Sequence, residues 1–225
     1  MSTRTLFIHI PKGAGTSVSN SCPCFPAQFR YISKKFSDID SMSHRHPSSV
    51  APAQTFYKHL PYSYLDKDQL NRFDRIFSVV RNPWSRVVSL YHHADSIKAR
   101  TEKTWYGQNK ISWSEFLDRM ESFRMTPDYY WKHPYDQWAT QLDWISHGNK
   151  IKCDVLRYED IQSDLNSYFQ TDINLVRKNI GLYKAHYTEY YTEAQKQKVA
   201  DWFRLDIEHF GFTFESGATR NYWTQ

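Results

Sequence analysis

The chain has 225 residues, enough for one domain with a sizeable hydrophobic core. Aromatic residues make up 17% of it and only seven residues are glycine, which excludes a disordered or low-complexity chain. The formal net charge of +5 suits a protein that handles anionic ligands. Its lysines and arginines are scattered, which argues against a nucleic-acid-binding protein. We therefore expect a single domain over residues 1–225 and no nucleic-acid partner.

In chain order, the predicted elements alternate between strands and helices. The predicted strands cover residues 5–10, 55–60, 76–80 and 152–157, and the predicted helices cover a short segment after Gly15, residues 83–98, 113–123, 134–145, 160–169 and 172–180, and a last helix that begins at Thr192 and stops at Gly211. Strands separated by helices indicate a parallel sheet that is covered on both sides. The sequence therefore predicts the α/β class, with a P-loop-like parallel sheet flanked by helices on both faces.

The first predicted strand runs directly into a loop that has the chemistry of a phosphate cradle. From Pro11 to Ser17 the loop reads Pro-Lys-Gly-Ala-Gly-Thr-Ser. Its glycines let backbone N–H groups approach an anion, its lysine adds a positive charge, and its two hydroxyls lie at a helix N-terminus. In a Walker A loop the lysine follows the second glycine, whereas here Lys12 precedes both. The alternative is an ordinary connection between a strand and a helix.

A second polar segment follows the predicted strand 76–80. Arg81 leaves the carboxyl end of that strand, where open α/β sheets bind ligands. Asn82 and Pro83 are suited to the N-cap and first position of a helix. Ser89, seven residues after the cap, returns to the same side of that helix, so Arg81 and Ser89 can converge on one phosphate. The alternative is a solvated arginine at a helix start and a surface serine.

Together, the two segments resemble the cofactor site of the sulfotransferases that use 3′-phosphoadenosine 5′-phosphosulfate (PAPS). The likeness is closer to the branch that includes the heparan-sulfate 2-O-sulfotransferases and bacterial carbohydrate sulfotransferases. In that family a Pro-Lys-Thr-Gly-Gly-Thr-Ser-like loop holds the 5′-phosphosulfate, and an Arg-x-Pro…Arg-x-x-Ser segment holds the 3′-phosphate. The matching residues are Pro11, Lys12, Gly15, Thr16 and Ser17 in the loop, and Arg81, Pro83, Arg86 and Ser89 in the second segment.

This resemblance implies a PAPS-dependent O-sulfotransferase that uses no metal. The implied cofactor-binding residues are Lys12, Gly13, Ala14, Gly15, Thr16, Ser17, Arg81 and Ser89. The implied partner is a hydroxyl-bearing acceptor, a carbohydrate or glycoconjugate. The loop departs from the family at Gly13, where threonine is usual, and this removes one possible phosphate donor.

Two residues are candidates for the catalytic roles that sulfuryl transfer needs, a base for the acceptor hydroxyl and a positive charge for the leaving group. The resemblance assigns the leaving group to Lys12. His59 is the candidate base, because it ends a predicted strand that resembles the histidine-bearing strand end of the 2-O-sulfotransferases, and histidine titrates near working pH. His44 and His46 are rival bases, and a structural role for His59 is the alternative. His9, inside the first predicted strand, is predicted to be structural.

Two other functions stay open at this point. A P-loop kinase would also bind phosphates, but no apolar strand ends in an aspartate suited to Mg²⁺. A catalytically inactive anion-binding module would tolerate the change at Gly13. The chain has no run of about 18 apolar residues and no signal peptide before its first predicted strand. With only three cysteines, we expect a cytoplasmic protein with reduced thiols.

Overall fold

Three parallel strands form the central sheet of the structure, a computed structural model that describes residues 4–21, 61–65, 67–101, 111–125, 139–176, 185–221 and 223. These three strands are β1 (Thr5–Ile8), β2 (Arg75–Val80) and β5 (Asp154–Arg157). Two short strands, β3 (Ser146–His147) and β4 (Lys150–Ile151), form a separate antiparallel pair. The sheet order is β1-β2-β5, with Phe7 opposite Phe77 and Val79 opposite Leu156, and both pairs are parallel. The predicted strands 76–80 and 152–157 are confirmed apart from their ends, and the predicted strand 55–60 lies outside the described residues.

Helices cover both faces of this sheet. They are α1 (Gly15–Ser21), α2 (Lys67–Leu70), α3 (Pro83–Thr101), α4 (Trp113–Met125), α5 (Gln141–Ile145), α6 (Ile161–Phe169), α7 (Glu193–Trp202) and α8 (Arg204–Phe210), with short 3₁₀ turns at Tyr62–Tyr64 and Tyr187–Tyr190. Leu6 and Ile8 face a core shared with α3, α4, α5, α7 and α8, whereas Phe7 faces a core shared with α1 and α6. This alternation along β1 is the period of two that a strand imposes. The predicted α/β class and the two covered faces are therefore confirmed.

The helix that follows β2 begins as the sequence predicts. The Asn82 side-chain oxygen accepts the backbone N–H groups of Trp84 at 3.0 Å and Ser85 at 3.2 Å, which is an N-cap. Pro83 is the first helical residue. Within the described ranges, no helix has both the length and the apolar character that crossing a membrane requires.

Several predicted boundaries are wrong for identifiable reasons. β1 ends at Ile8 and not at residue 10, because the Ile10 carbonyl accepts the Gly13 N–H at 3.1 Å in a turn. The helix predicted over 134–145 begins, within the described residues, only after Thr140, which forms a reciprocal capping pair with Asp143. The predicted connection at 146–151 contains a hairpin of β3 and β4 that the sequence analysis missed.

Two predicted helices near the C-terminus also differ from the structure. Residues 172–176 are irregular, because the side chains of Gln162 and Asn166 bond the backbone of residues 173–175 after α6 has ended. The predicted helix from Thr192 is divided into α7 and α8 at Phe203, whose backbone leaves the helical region at φ −115° and ψ 26°. Its cap at Thr192 and its stop at Gly211, where φ is +70°, are confirmed.

Candidate active site

The loop between β1 and α1 has a backbone shape that suits an anion. Lys12 and Ala14 have positive φ angles of 68° and 61°, while φ at Gly13 and Gly15 lies outside the positive region. Such alternation turns successive N–H groups toward one side and makes a concave site for anions. Side chains at positive φ cost roughly 1–2 kcal/mol each, and such strain is concentrated at functional sites.

The two glycines of the loop lie where no side chain fits. A Cβ atom at Gly13 would come within 2.7 Å of the Val79 carbonyl oxygen and 3.3 Å of the Ile10 carbonyl oxygen. A Cβ atom at Gly15 would overlap the imidazole of His9. The loop therefore lies directly on the end of β2 and on His9. The contact with β2 gives a steric reason for glycine at position 13, where the resembled family usually has threonine.

His9 supports this loop, as a structural role predicts. It follows β1 and is buried, with its ring stacked on Phe7 at a centroid distance of 5.6 Å and an interplanar angle of 16°. Lys12 and Ala14 are half-buried, Ser17 is buried and Thr16 is exposed. The loop therefore presents both buried and accessible groups at the carboxyl end of β1.

Arg81 brings the two predicted segments into contact. It follows β2, and its side chain is nearly buried, with 8% of the residue exposed. Its Nη1 donates to the Lys12 carbonyl oxygen at 3.2 Å, and its guanidinium lies 4.1 Å from the centre of the Tyr158 ring. The arginine and the loop therefore share one edge of the sheet.

The hydroxyl that Arg81 contacts belongs to Ser85. The Ser85 hydroxyl oxygen accepts from Nε of Arg81 at 2.9 Å and from Nη2 at 2.7 Å. Sequence reasoning missed Ser85, although residues four apart are neighbours on a helix and the spacing could have indicated it. Ser89 lies one turn further along α3 and is half-buried. Its convergence with Arg81 on a phosphate stays a prediction.

The backbone of Arg81 is fixed by a buried glutamine. The Gln141 side chain accepts from the Arg81 N–H at 2.8 Å and donates to the Arg81 carbonyl oxygen at 2.9 Å. Asp206 in turn accepts the N–H groups of Gln141 at 2.7 Å and Leu142 at 3.0 Å. Burial raises the pKa of Asp206 to about 6, although these bonds and the charge of Arg86 lower it. Sequence reasoning missed both residues, because a lone glutamine or aspartate is ordinarily exposed.

Glu159 ties the start of α3 to the segment after β5. Its Oε1 accepts the Asn82 N–H at 2.8 Å. Loss of solvent raises its pKa, against the lowering effects of the Asn82 N–H and Arg81. The neighbouring Tyr187 has its pKa raised to about 12, first by burial and then by the negative charge of Glu159. Arg81 thus has a carboxyl, that of Glu159, and a neutral phenol, that of Tyr187, within range of its charge.

The candidate bases are outside the part of the chain that the structure describes. His44, His46 and His59 all lie in the undescribed residues 22–60. In the described ranges, no group of three or more histidine, cysteine, aspartate or glutamate residues could hold a metal ion. The assignments of a base and of metal-free chemistry stay predictions.

Comparison with known proteins identifies one family. A family model described as "Sulfotransferase domain" matches residues 16–171, which is more than half of the chain. The match begins at Thr16 in the loop and includes the whole segment from Arg81 to Ser89. No curated protein matches the chain.

Proposed function

The chain belongs to the sulfotransferase family, and we propose that it transfers the sulfuryl group of PAPS to the hydroxyl of an acceptor. The observation that carries this proposal is the contact between Arg81 and the Lys12 carbonyl. It brings together a loop shaped for one anion and an arginine suited to another. PAPS carries both anions, a 5′-phosphosulfate and a 3′-phosphate.

The residues of the loop fit the 5′ end of this donor. β2 leaves no room for a side chain at position 13, and His9 leaves none at position 15. Glycine at both positions means that the backbone itself lines the concave site. The alternating φ angles from Lys12 to Gly15 suit the tetrahedral, multiply charged oxygens of a phosphosulfate. Lys12 contributes a positive side chain to the same loop. We therefore propose that residues 12–17 hold the phosphosulfate.

The residues around Arg81 fit the 3′ end. The guanidinium is held in place by Ser85 and by the Tyr158 ring, so little side-chain entropy remains to be lost when an anion binds. Arginine is suited to phosphate, since its fork-shaped set of donors matches two phosphate oxygens. We propose that Arg81 and Ser89 bind the 3′-phosphate.

The proposed reaction is an in-line transfer. The acceptor oxygen forms a bond to sulfur, while the bond between sulfur and the bridging oxygen breaks and its electron pair stays on the departing 3′,5′-ADP. The acceptor proton goes to a base, for which we propose His59. Lys12 is proposed to stabilise the charge that develops on the bridging oxygen.

The finer parts of the proposal rest on the resemblance and on the sequence. Likeness to the heparan-sulfate 2-O-sulfotransferase and bacterial carbohydrate sulfotransferase branch supports a carbohydrate or glycoconjugate acceptor. The metal-free chemistry of that family supports transfer without a metal. The length of the chain supports a single domain, and its small number of cysteines supports a location in the cytoplasm.

Nucleotide binding tests the proposal directly. Calorimetry should show that 3′,5′-ADP binds much more tightly than 5′-AMP. Arg81→Ala should weaken 3′,5′-ADP binding by about 2–3 kcal/mol, roughly 30- to 150-fold, and weaken 5′-AMP binding much less. Arg119→Ala is the matched control, since Arg119 pairs with Glu115 on the surface of α4. Equal affinity of the wild type for 3′,5′-ADP and 5′-AMP would contradict the assignment.

Radiolabelled donors separate the remaining possibilities. The protein should transfer label from [³⁵S]PAPS and not from γ-labelled ATP to a polysaccharide acceptor. Transfer from ATP would indicate a kinase. Tight 3′,5′-ADP binding without transfer to any hydroxyl-bearing acceptor would indicate an inactive anion-binding module.

A further inference from the structure

Arg86 is a fully buried arginine in the first turn of α3, and it contacts the loop after β1. Its Nε donates to the Pro11 carbonyl oxygen at 3.2 Å, and its Nη1 donates to the Ala139 carbonyl oxygen at 3.0 Å. Its guanidinium lies 5.6 Å from the centre of the Phe203 ring. Burying a charged group costs free energy unless the group is hydrogen-bonded. The two backbone carbonyls that Arg86 bonds therefore indicate its role.

The two arginines hold the peptide groups on both sides of Lys12. The Pro11 carbonyl belongs to the peptide that enters Lys12, and Arg86 holds it. The Lys12 carbonyl belongs to the peptide that leaves it, and Arg81 holds that one. The orientation of these two peptide planes defines the backbone angles of Lys12, whose φ is 68°. A residue with a side chain remains at positive φ only where its surroundings fix it.

We propose that Arg86 is a positioning residue that sets the direction of Lys12 and the shape of the phosphosulfate loop. This inference rests on the proposed function. The resemblance places Arg86 in the segment that holds the 3′-phosphate. Here we assign it instead to supporting the loop that is proposed to hold the 5′ end of the donor.

The surroundings of Arg86 distinguish this role from that of a phosphate ligand. Arg86 has no exposed surface and lies over an aromatic ring, whereas 8% of Arg81 is exposed. Solvent contacts part of Arg81, but it contacts no part of Arg86, whose Nε is bonded to the Pro11 carbonyl oxygen. The backbone is therefore the group on which Arg86 acts.

Arg86 also links the loop to the group that holds Arg81. Ala139 precedes Thr140, the cap of α5, and the first residue of α5 is Gln141, which bonds the Arg81 backbone. One guanidinium thus connects Pro11 with the start of α5. Disturbing it should loosen the loop first and leave the Arg81 side chain with its own partners, Ser85 and Tyr158.

Binding of three nucleotides, 3′,5′-ADP, 3′-AMP and 5′-AMP, distinguishes the contributions of the two ends of the donor. The affinity ratio of 3′,5′-ADP to 3′-AMP measures the contribution of the 5′-phosphate in the loop, and the ratio of 3′,5′-ADP to 5′-AMP measures that of the 3′-phosphate. In Arg86→Met the first ratio should fall about tenfold and the second should stay within about twofold of wild type. Arg86→Lys, which retains a charge and one donor, should show a smaller fall in the first ratio. Arg81→Ala should lower the second ratio most, with a smaller fall in the first, because it also releases the Lys12 carbonyl.

A chemical measurement tests the same inference without any nucleotide. In Arg86→Met, limited acetylation read by mass spectrometry should modify Lys12 several-fold faster relative to Lys152, an exposed internal control. If Arg86→Met does not fold, Arg86→Lys, which keeps the buried charge and one donor, serves in its place, with a smaller change expected in the same direction.

Each outcome is decisive. A fall in the 3′-phosphate ratio would show that Arg86 is a ligand, and unchanged ratios with unchanged Lys12 acetylation would show that it only stabilises the fold. Either result overturns the inference. Wild-type protein that fails to bind 3′,5′-ADP would refute the proposed function, while the acetylation of Lys12 would still decide whether Arg86 controls the loop.

Discussion

Replacing Gly13 by threonine tests whether this loop can carry the side chain that similar sulfotransferases have at that place. The added Cβ would lie 2.7 Å from the Val79 carbonyl oxygen and 3.3 Å from that of Ile10, and both obstacles are backbone atoms. Since neither can rotate away, the loop must lift from β2. Overpacking of this kind costs about 1–3 kcal/mol. For a chain of this length, that lowers the melting temperature by roughly 2–12 °C.

Thermal unfolding and 3′,5′-ADP titration should be measured on Gly13→Thr and Gly13→Ala together. Both variants should be less stable than wild type and bind 3′,5′-ADP more weakly. Gly148→Ala is the control for backbone strain alone, since Gly148 has a φ of +59° in a turn and no atom within 4 Å of an added Cβ. It should cost about 1 kcal/mol and leave binding unchanged. A Gly13→Thr protein with wild-type stability and tighter 3′,5′-ADP binding would refute the steric explanation.

Three further predictions concern the charges of the site. Lys12→Ala should reduce turnover far more than 3′,5′-ADP affinity, because charge on the bridging oxygen develops only in the transition state, and equal losses in both assays would make Lys12 a binding residue. His59→Ala should lower turnover by roughly 10²–10⁴-fold with unchanged affinity, whereas loss of turnover in His44→Ala or His46→Ala alone would transfer the role of base. The pKa of Asp206 is about 6 in the folded protein and 3.8 in an unfolded chain, so its ionisation favours unfolding as pH rises from about 4 to 6. The free energy of unfolding of wild type relative to Asp206→Asn should fall by roughly 3 kcal/mol across that range and then level off, and denaturant titrations that show a constant difference would contradict this.

Local patterns in the sequence were sufficient for β2 and for the start of α3. The apolar run before Arg81 predicted a buried parallel strand, and Asn82 followed by Pro83 predicted a capped helix. Both features depend on neighbours in the chain, which is why the sequence reveals them. The contact of Arg81 with Lys12 is a finding of the structure, and it arises because the carboxyl ends of parallel strands meet at one edge.

The features that sequence reasoning missed depend on residues distant in the chain. Gln141 bonds the Arg81 backbone across 60 residues, and Asp206 bonds Gln141 across 65. Nothing in the composition around either residue distinguishes it from a surface residue. Phe203, where the last helix is divided, is also fully buried, and its ring lies 5.6 Å from the Arg86 guanidinium, a distant contact that the local sequence does not reveal.

Asn82 places a constraint on the order in which the protein can be completed during synthesis. Its side-chain amide donates to the carbonyl oxygens of Thr213 and Ser216, which lie 131 and 134 residues later, each at 2.8 Å. A nascent chain is made at about 5–20 residues per second, so these two acceptors reach the folding chain many seconds after Asn82 does. Until then the amide at the start of α3 must bond water. The edge of the sheet that carries Arg81 therefore reaches its final set of hydrogen bonds only when residues 213–216 have emerged from the ribosome.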